Sequence, residues 1–441
     1  MNNSCWLIDQ EQYDAAQIAQ KIYDYIDISG VRKVFIKPNM VINPWKGEEE
    51  NWVATVTNVS IIEAVLIVLR DKSRHSSIEV TVGDAPMART NIKEVLRLNK
   101  LLEIIAKYQS PTMIVNFIDI REWYWKYVAE MCVSRHHLSG DPLGNVLVNM
   151  GDYSAFSGKK SLNYEAFDNI VPVNRFHNEK DNIYSISKSV LESELFINLP
   201  KMKTHRIAGI TCAMKNLVGI NSNKNCVPHN TTGSVNENGD ESPNDSKKAL
   251  NESAGIGGIA RKIFRLKIPA INYLFVPAKI LYDKTKGKQN SEKIGYGMWY
   301  GNDTIWRSIL DLNRVLFFAD SEGVLHDEQQ RKYLCITDAI VSGEGEGPLH
   351  PTPVNTNVLL VSDNPLIIDT VAAEIMGVDY RKVPSIYQSY NHYSRYNFAE
   401  FRRDEISVYI ENERVAVDDI RNHYAFSFVP TAGWTGHIEK E

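Results

Sequence analysis

Val31–Ile36 reads VRKVFI and runs into Lys37-Pro38-Asn39, and Ile78–Val82 reads IEVTV and runs into Gly83-Asp84. Each is a short β-branched run closed by a turn residue, the pattern of a strand. Between them, Thr57-Asn58 can cap a helix in which Ile61, Ile62, Val65, Leu66 and Leu69 recur at helical spacing. Strand, helix, strand in that order predicts a βαβ unit of a parallel sheet. Lys37, Asn39 and Asp84 then stand at strand C-terminal ends, where ligands bind in open α/β sheets.

Working outward, Lys93–Ala106 reads as a helix and Met113–Ile118 as a strand. Leu191–Leu199 (LESELFINL) leads into Pro200-Lys201-Met202-Lys203-Thr204-His205, and Ala208–Val218 reads as a short helix. Asn221–Ser253 is rich in Asn, Ser, Gly and Asp and reads as a long mobile loop. Asp303–Asn313 reads as a helix, Val315–Ala319 as a strand ending at Asp320, and Leu334–Ile340 as a strand before the loop Gly343–Pro348. Val358–Val361 reads as a strand, and Pro365–Met376 as a helix closed by Gly377. The expected fold is α/β: two α/β domains with mainly parallel or mixed sheets and a site at strand C-terminal ends. Residues 1–200 would form the N-terminal α/β domain. Residues 201–300 would hold a basic central motif, a mobile loop and a lid-like insertion. Residues 301–441 would form a C-terminal α/β segment completing the fold.

The 441 residues carry a net charge of −5, which hides an asymmetry. Lys201–Tyr300 holds 16 basic and 7 acidic residues, or +9, and the remainder holds 33 and 47, or −14. A basic centre in an acidic chain points to a localised anion site and argues against general nucleic-acid binding. With 43% hydrophobic residues the chain can bury a sizeable core. Its longest apolar run, Ala64–Leu69, is far short of a membrane span, and Met1–Gln10 has no signal-peptide pattern, so a cytoplasmic protein is expected. Five cysteines with no C-x-x-C pair argue against a disulfide framework, a thiolate zinc site or an iron–sulfur cluster.

The densest polar cluster is Lys201–Lys215, where Lys201, Lys203, Arg206 and Lys215 join His205 within 15 residues. Lysines there and at Lys37 suit a phosphate or carboxylate, with Asn39 and Asn216 orienting it. The same basic pattern also fits a solvated turn, and Lys37-Pro38-Asn39 also fits a plain turn. Glu344 and Glu346, set between glycines, read either as ligands of a substrate or divalent cation or as an exposed acidic loop. Asp369 lies near the start of its helix, where the dipole alone accounts for it. Walker, dinucleotide-binding, G-x-S-x-G and H-E-x-x-H signatures are missing. Arg261–Lys293, with nine basic and two acidic residues among apolar ones, reads as a lid or as peripheral contact with an anionic membrane, although Pro269 and Pro277 should break it into short pieces.

The succession VFIKPN, VGD, FINLPKMKTHRIAGITCAMKNLVG, GNDTIWRSILDLN, GEGEGP and DNPLIIDTVAAEIMG, from about Val31 to Gly377, resembles the domain of unknown function 362 family. Many members of that family resemble iron–sulfur proteins through ferredoxin-type cysteine motifs, which this chain lacks. Locally, His205, Ala208-Gly209, Lys215, Gly219 and His229-Asn230 follow the order seen in the nickel-dependent lactate racemase family, with the same ten-residue step from His205 to Lys215. That resemblance implies an acid/base histidine at His205, a lysine at Lys215 holding a nickel-pincer nucleotide, and a metal ligand at His229. Cys212-Ala213 replace the paired glycines of that pattern and Val218 replaces a proline, so position carries over and the cofactor does not.

Together these readings predict an enzyme acting on an anionic small molecule, racemase- or isomerase-like or otherwise dependent on acid/base chemistry. His205 and Lys215 would be catalytic, and Lys37, Asn39, Lys203, Asn216, Glu344 and Glu346 would bind substrate. The alternative is a non-catalytic binding protein for an anionic ligand or membrane head group.

Overall fold

The computed structural model describes residues 3–159, 163–166, 170–243, 268–286 and 296–440. It has the predicted α/β class. Eleven strands form one mixed sheet: β1 Ser4–Asp9, β2 Lys33–Pro38, β3 Ile78–Asp84, β4 Met113–Asp119, β5 Leu195–Leu199, β6 Lys201–His205, β7 Gly209–Thr211, β8 Lys332–Glu346, β9 His350–Ser362, β10 Ser407–Ile410 and β11 Glu413–Val415. The order across the sheet is β11-β10-β1-β9-β8-β5-β2-β3-β4, with β6 paired to β8 and β7 to β6. From β8 through β5, β2 and β3 to β4 all pairs are parallel, whereas β9 runs antiparallel to both β8 and β1. Strands from 1–200 and from 301–441 thus interleave in one sheet.

The βαβ unit forms as expected. Val34 lies opposite Val80 and Ile36 opposite Val82, and the Asn58 side chain accepts the Ser60 amide at 2.9 Å to cap the helix Val59–Lys72. Strand periodicity divides the core in two. Val34, Ile36, Ile197 and Ile336 pack with the helix Val59–Lys72, while Phe35, Phe196 and Cys335 pack with the helices Ile305–Phe318 and Pro365–Met376. Covering both faces explains why these strands read as continuous apolar runs. Gly377 closes the helix Pro365–Met376 at φ 74°, a conformation glycine adopts without strain.

Four expected elements differ. Val315–Phe318 ends the helix Ile305–Phe318 instead of starting a strand, because nearly every residue of that helix is buried and its apolar run is buried helix. Ala208–Val218 divides into β7, the short helix Ala213–Asn216 and a further turn. The helix expected over Lys93–Ala106 breaks at Lys100, whose φ is 55°. Gly343–Glu346 is paired strand, the end of β8 facing Pro353–His350 of β9. Its glycines serve close packing: a Cβ on Gly343 would lie 2.9 Å from the Ala54 carbonyl and 3.1 Å from Lys203 Cβ.

The described part of the expected loop, residues 221–243, is tied down. Asn230–Thr231 pairs with Tyr164–Glu165, and buried Asp240 accepts the Thr231 and Asp303 amides; residues 244–253 lie outside the described set. Of Arg261–Lys293, the described part contains one helix, Pro269–Lys286, which keeps Pro277 inside. Among the described residues no helix is long and apolar enough to cross a membrane.

Candidate functional site

The site grows from the bend at Pro200. Leu195–Asn198 pair with Lys332–Cys335 of β8, and after Pro200 the chain pairs with the same strand again, at Lys201 opposite Asp338 and Lys203 opposite Gly343. This carries Lys203 and His205 past the ends of β2 and β3. There Lys37, Asp84, Lys203, His205, Lys215 and His229 line one cavity of about 550 Å³, within the roughly 300–1,000 Å³ of small-molecule sites. Of these, Lys37, Lys203, His205 and Lys215 are the residues the sequence predicts as substrate-binding or catalytic, and His229 is the metal ligand that the racemase resemblance implies. Asp84 was recognised there only as a strand-end residue.

Lys37 and Asp84 are buried partners, Nζ to Oδ1 at 2.7 Å. The second Asp84 oxygen accepts the Met40 amide at 2.7 Å. Gly219 passes directly over the pair: a Cβ there would sit 2.2 Å from Asp84 Oδ1 and 2.6 Å from Lys37 Nζ. The glycine closing the LVG stretch is therefore a matter of space. Burial lowers the Lys37 pKa, and Asp84 opposes that shift.

The amides at the site bind one another. Asn216 Oδ1 accepts from Asn39 Nδ2 at 3.1 Å, and Asn216 Nδ2 donates to Asn198 Oδ1 at 2.7 Å and to the Lys37 carbonyl at 3.1 Å. Asn198 in turn donates to the Ala213 carbonyl and Tyr333 Oη. Asn39 Oδ1 accepts from Lys203 Nζ at 3.3 Å, and the Thr55 carbonyl accepts from the same ammonium. Asn39 and Asn216 thus position Lys37 and Lys203. Lys203 has no carboxylate within ion-pair distance among the described residues. Burial, followed by the charges of Lys201 and Lys215, holds its pKa well below the usual lysine range.

The two histidines hold opposite tautomers. His205 Nδ1 accepts the backbone amides of Ile207 at 3.0 Å and Ala208 at 3.2 Å. An N–H donor cannot face a protonated nitrogen, so the neutral ring carries its proton on Nε2. His229 Nδ1 meets the Val227 carbonyl at 2.8 Å and must donate to it, leaving Nε2 as the acceptor nitrogen. Burial, then the Lys215 charge, pushes His205 well below the usual histidine range and His229 down to about 3, so both rings are neutral near pH 7.

Lys215 sits on the helix Ala213–Asn216, whose first amides are held by Asp369: Ala213 N–H donates to Oδ1 at 2.7 Å and Met214 N–H at 3.3 Å. Asp369 therefore serves another helix's start, a role invisible in its own sequence neighbourhood. Burial raises its pKa to about 7 against the lowering effect of those amides. Lys215 makes no hydrogen bond or ion pair among the described residues. Burial, then the charges of Lys224 and Lys37, lowers its pKa to about 8.

Some predicted residues are not brought to the cavity. Glu344 accepts the Val429 amide at 2.8 Å. Glu346 bonds Arg206 Nε at 2.7 Å and the Ala432 amide at 2.9 Å. Both hold the C-terminal segment against β6, and neither lines the cavity. Lys201 is paired with Asp338 at 2.6 Å, with both side chains wholly buried. Sequence reading missed Lys224, Arg89, Glu130 and Met298, which also line the cavity. Lys224 lay in the stretch read as a loop, and its Nζ donates to the Ala85 carbonyl at 2.7 Å. Arg89 and Glu130 form a bidentate pair at 2.7 and 2.8 Å across elements that no local pattern links.

The donor set does not fit a protein-held metal. His229 brings a single imidazole, and among the described residues no group of three or more His, Cys, Asp or Glu side chains is placed to hold an ion.

Residues 157–374 match the family described as "Domain of unknown function (DUF362)". The matched segment contains β5–β9, the Lys201–Lys215 cluster and Asp369. No curated protein matches the chain. Among solved structures, a crystal structure of a protein from Thermotoga maritima aligns with 10% identity and a TM-score of 0.34, covering 80% of this chain and 56% of that one. This chain spans little more than half the length of that structure. Neither comparison bears on the local racemase-like pattern.

Proposed function

We propose that the protein is an enzyme acting on a small carboxylate- or phosphate-bearing molecule held in this cavity. One observation carries the reading: Lys203 and Lys215 line a cavity whose inner carboxylate, Asp84, is already matched by Lys37. An amine held away from bulk water without a carboxylate is costly to charge, and an anionic ligand supplies the missing counter-charge. The two histidines support turnover over storage. Their tautomers let His205 donate from Nε2 while His229 accepts, so neutral rings face one ligand as a hydrogen-bond donor and a hydrogen-bond acceptor. Lys203 and Lys215 then neutralise charge on the ligand or on an intermediate.

The test is a screen of carboxylate and phosphate metabolites with wild-type protein and His205→Ala. Turnover that falls at least tenfold in the variant supports the assignment; equal turnover removes His205 from the mechanism. Calorimetric binding of an anion without turnover of any metabolite would leave a non-catalytic binding protein.

A second reading, peripheral contact with an anionic membrane, is favoured by the helix Pro269–Lys286. It packs on the strand Met131–His137 through Asn272, which donates to the Cys132 carbonyl at 2.9 Å, while Tyr273, Leu274 and Leu281 are 65–76% exposed. Flotation with phosphatidylserine vesicles tests it: salt-sensitive co-flotation supports the contact, and protein left at the bottom at low salt removes it.

A further inference from the structure

Lys215 differs from every other lysine named above. Lys37 is paired with Asp84, Lys201 with Asp338, Lys203 is held by Asn39 and the Thr55 carbonyl, and Lys224 donates to the Ala85 carbonyl. Lys215 has no hydrogen-bond or ion-pair partner among the described residues, yet it is fixed at its base by a helix start clamped to Asp369 and by Asn216 next to it in the amide network. Its side chain is only partly exposed, and it lines the cavity. A lysine left without acceptors, beside other cations and away from bulk water, has the environment that makes an amine a nucleophile.

We propose that Lys215 forms an imine with a carbonyl carbon of the ligand, so that the substrate class is an anionic carbonyl compound such as a 2-oxo acid. This rests on the anion-site reading above and narrows it. The neutral amine adds to the carbonyl carbon: an N–C bond forms and the C=O π pair moves to oxygen. The amine's two protons leave with that oxygen as water, giving the C=N bond with no oxidant or reductant. His205 Nε2–H is placed on the same cavity to hydrogen-bond the developing oxygen, and Lys203 meets the carboxylate. The Lys215 pKa of about 8 supplies a substantial neutral fraction near neutral pH, where an ordinary lysine supplies very little.

The experiment treats full-length protein at near-neutral pH with pyruvate or glyoxylate and sodium cyanoborohydride, then measures intact mass and maps the adduct by peptide sequencing. Hydride reduction fixes the imine as a secondary amine, adding the mass of the ligand less one oxygen atom. The expected result is one dominant adduct on Lys215, formed about tenfold or more faster than on exposed lysines such as Lys46. It should be suppressed by oxalate, an anion with no electrophilic aldehyde or ketone carbonyl, and lost in Lys215→Arg. Mapping on the wild-type chain keeps the test independent of whether the variant folds. Adducts spread over exposed lysines, or none, overturn the imine. If calorimetry shows that oxalate still binds, the anion site survives that failure; if oxalate does not bind either, both readings fall together.

Discussion

Lys201 and Lys203 stand two residues apart on β6 and are both wholly buried, yet only Lys201 meets a carboxylate, with Asp338 Oδ2 at 2.6 Å. Asp338 also accepts the Tyr13 hydroxyl at 2.8 Å and the Asn58 amide at the start of the helix Val59–Lys72 at 2.8 Å. One lysine of the motif is thus a strut that joins β6, β8 and the first βαβ unit. The other faces the cavity. Alternate spacing on a strand puts both on one side, and the bulge in the β6–β8 register between them gives them different neighbours.

Asp338→Ala should therefore be strongly destabilising. It strands a buried ammonium and removes the acceptor of a hydroxyl and a helix-start amide, for which about 3–5 kcal/mol is the usual scale. Urea unfolding followed by tryptophan fluorescence measures it. A loss below about 1 kcal/mol would show that Lys201 is compensated some other way.

Lys203→Met should behave in the opposite manner. Relief from burying an uncompensated amine and loss of the donor to Asn39 and Thr55 oppose each other, so stability should change by no more than about 1–2 kcal/mol. Affinity for oxalate or inorganic phosphate should fall roughly tenfold or more, because one buried charge-assisted bond is gone. Calorimetry and urea unfolding on the same preparation read both numbers. Unchanged affinity would exclude Lys203 from the site.

Gly219→Ala tests the packing over Lys37 and Asp84. The added methyl meets Asp84 Oδ1 at 2.2 Å and Lys37 Nζ at 2.6 Å, so the ion pair must open or the backbone must shift, at a cost of about 1–3 kcal/mol. Anion affinity should drop with it, measured by calorimetry with oxalate; unchanged affinity would show that the pair adapts to the methyl.

Anion affinity should fall as pH rises through about 8. The ligand favours the ammonium form of Lys215, so binding takes up a proton once the free group has begun to deprotonate, and affinity is lost above its pKa. The groups that set this environment are Lys37, Lys203, Lys224, His205, His229 and Asp84. Both histidines are neutral throughout this range, and Lys203, also depressed, shifts the loss in the same direction. A roughly three- to tenfold decline between about pH 7 and 9 is expected by calorimetry. Reductive trapping should rise over the same interval, since the imine needs the neutral amine. Parallel trends in the two assays would contradict the separate roles given to the two forms of Lys215.

The sequence alone was informative about local matters. The β-branched runs before Lys37 and Gly83 marked parallel strands and placed Lys37 and Asp84 at their ends, because strand periodicity and turn residues act over a few positions. The spacing of Lys203, His205 and Lys215 flagged one cluster, and the cavity contains all three. Gly377 announced its helix end for the same reason. Glu344 and Glu346 show where such reading stops. Acidic residues between glycines look like a ligand loop, and what they bind, Arg206 and the amides of Val429 and Ala432, lies far along the chain.

Tertiary structure decided which charges are used up inside the protein and which remain for a ligand. Lys37, Lys201, Lys203 and Lys215 are chemically identical in the sequence; Asp84, Asp338, Asn39 and the cavity wall make them different. Asp369 was unremarkable beside its own helix and became the clamp of another. The physical reason is range. Backbone propensity and hydrophobic period are set by near neighbours, whereas the charge state of a buried amine depends on desolvation and on partners that only the folded sheet brings within 3 Å.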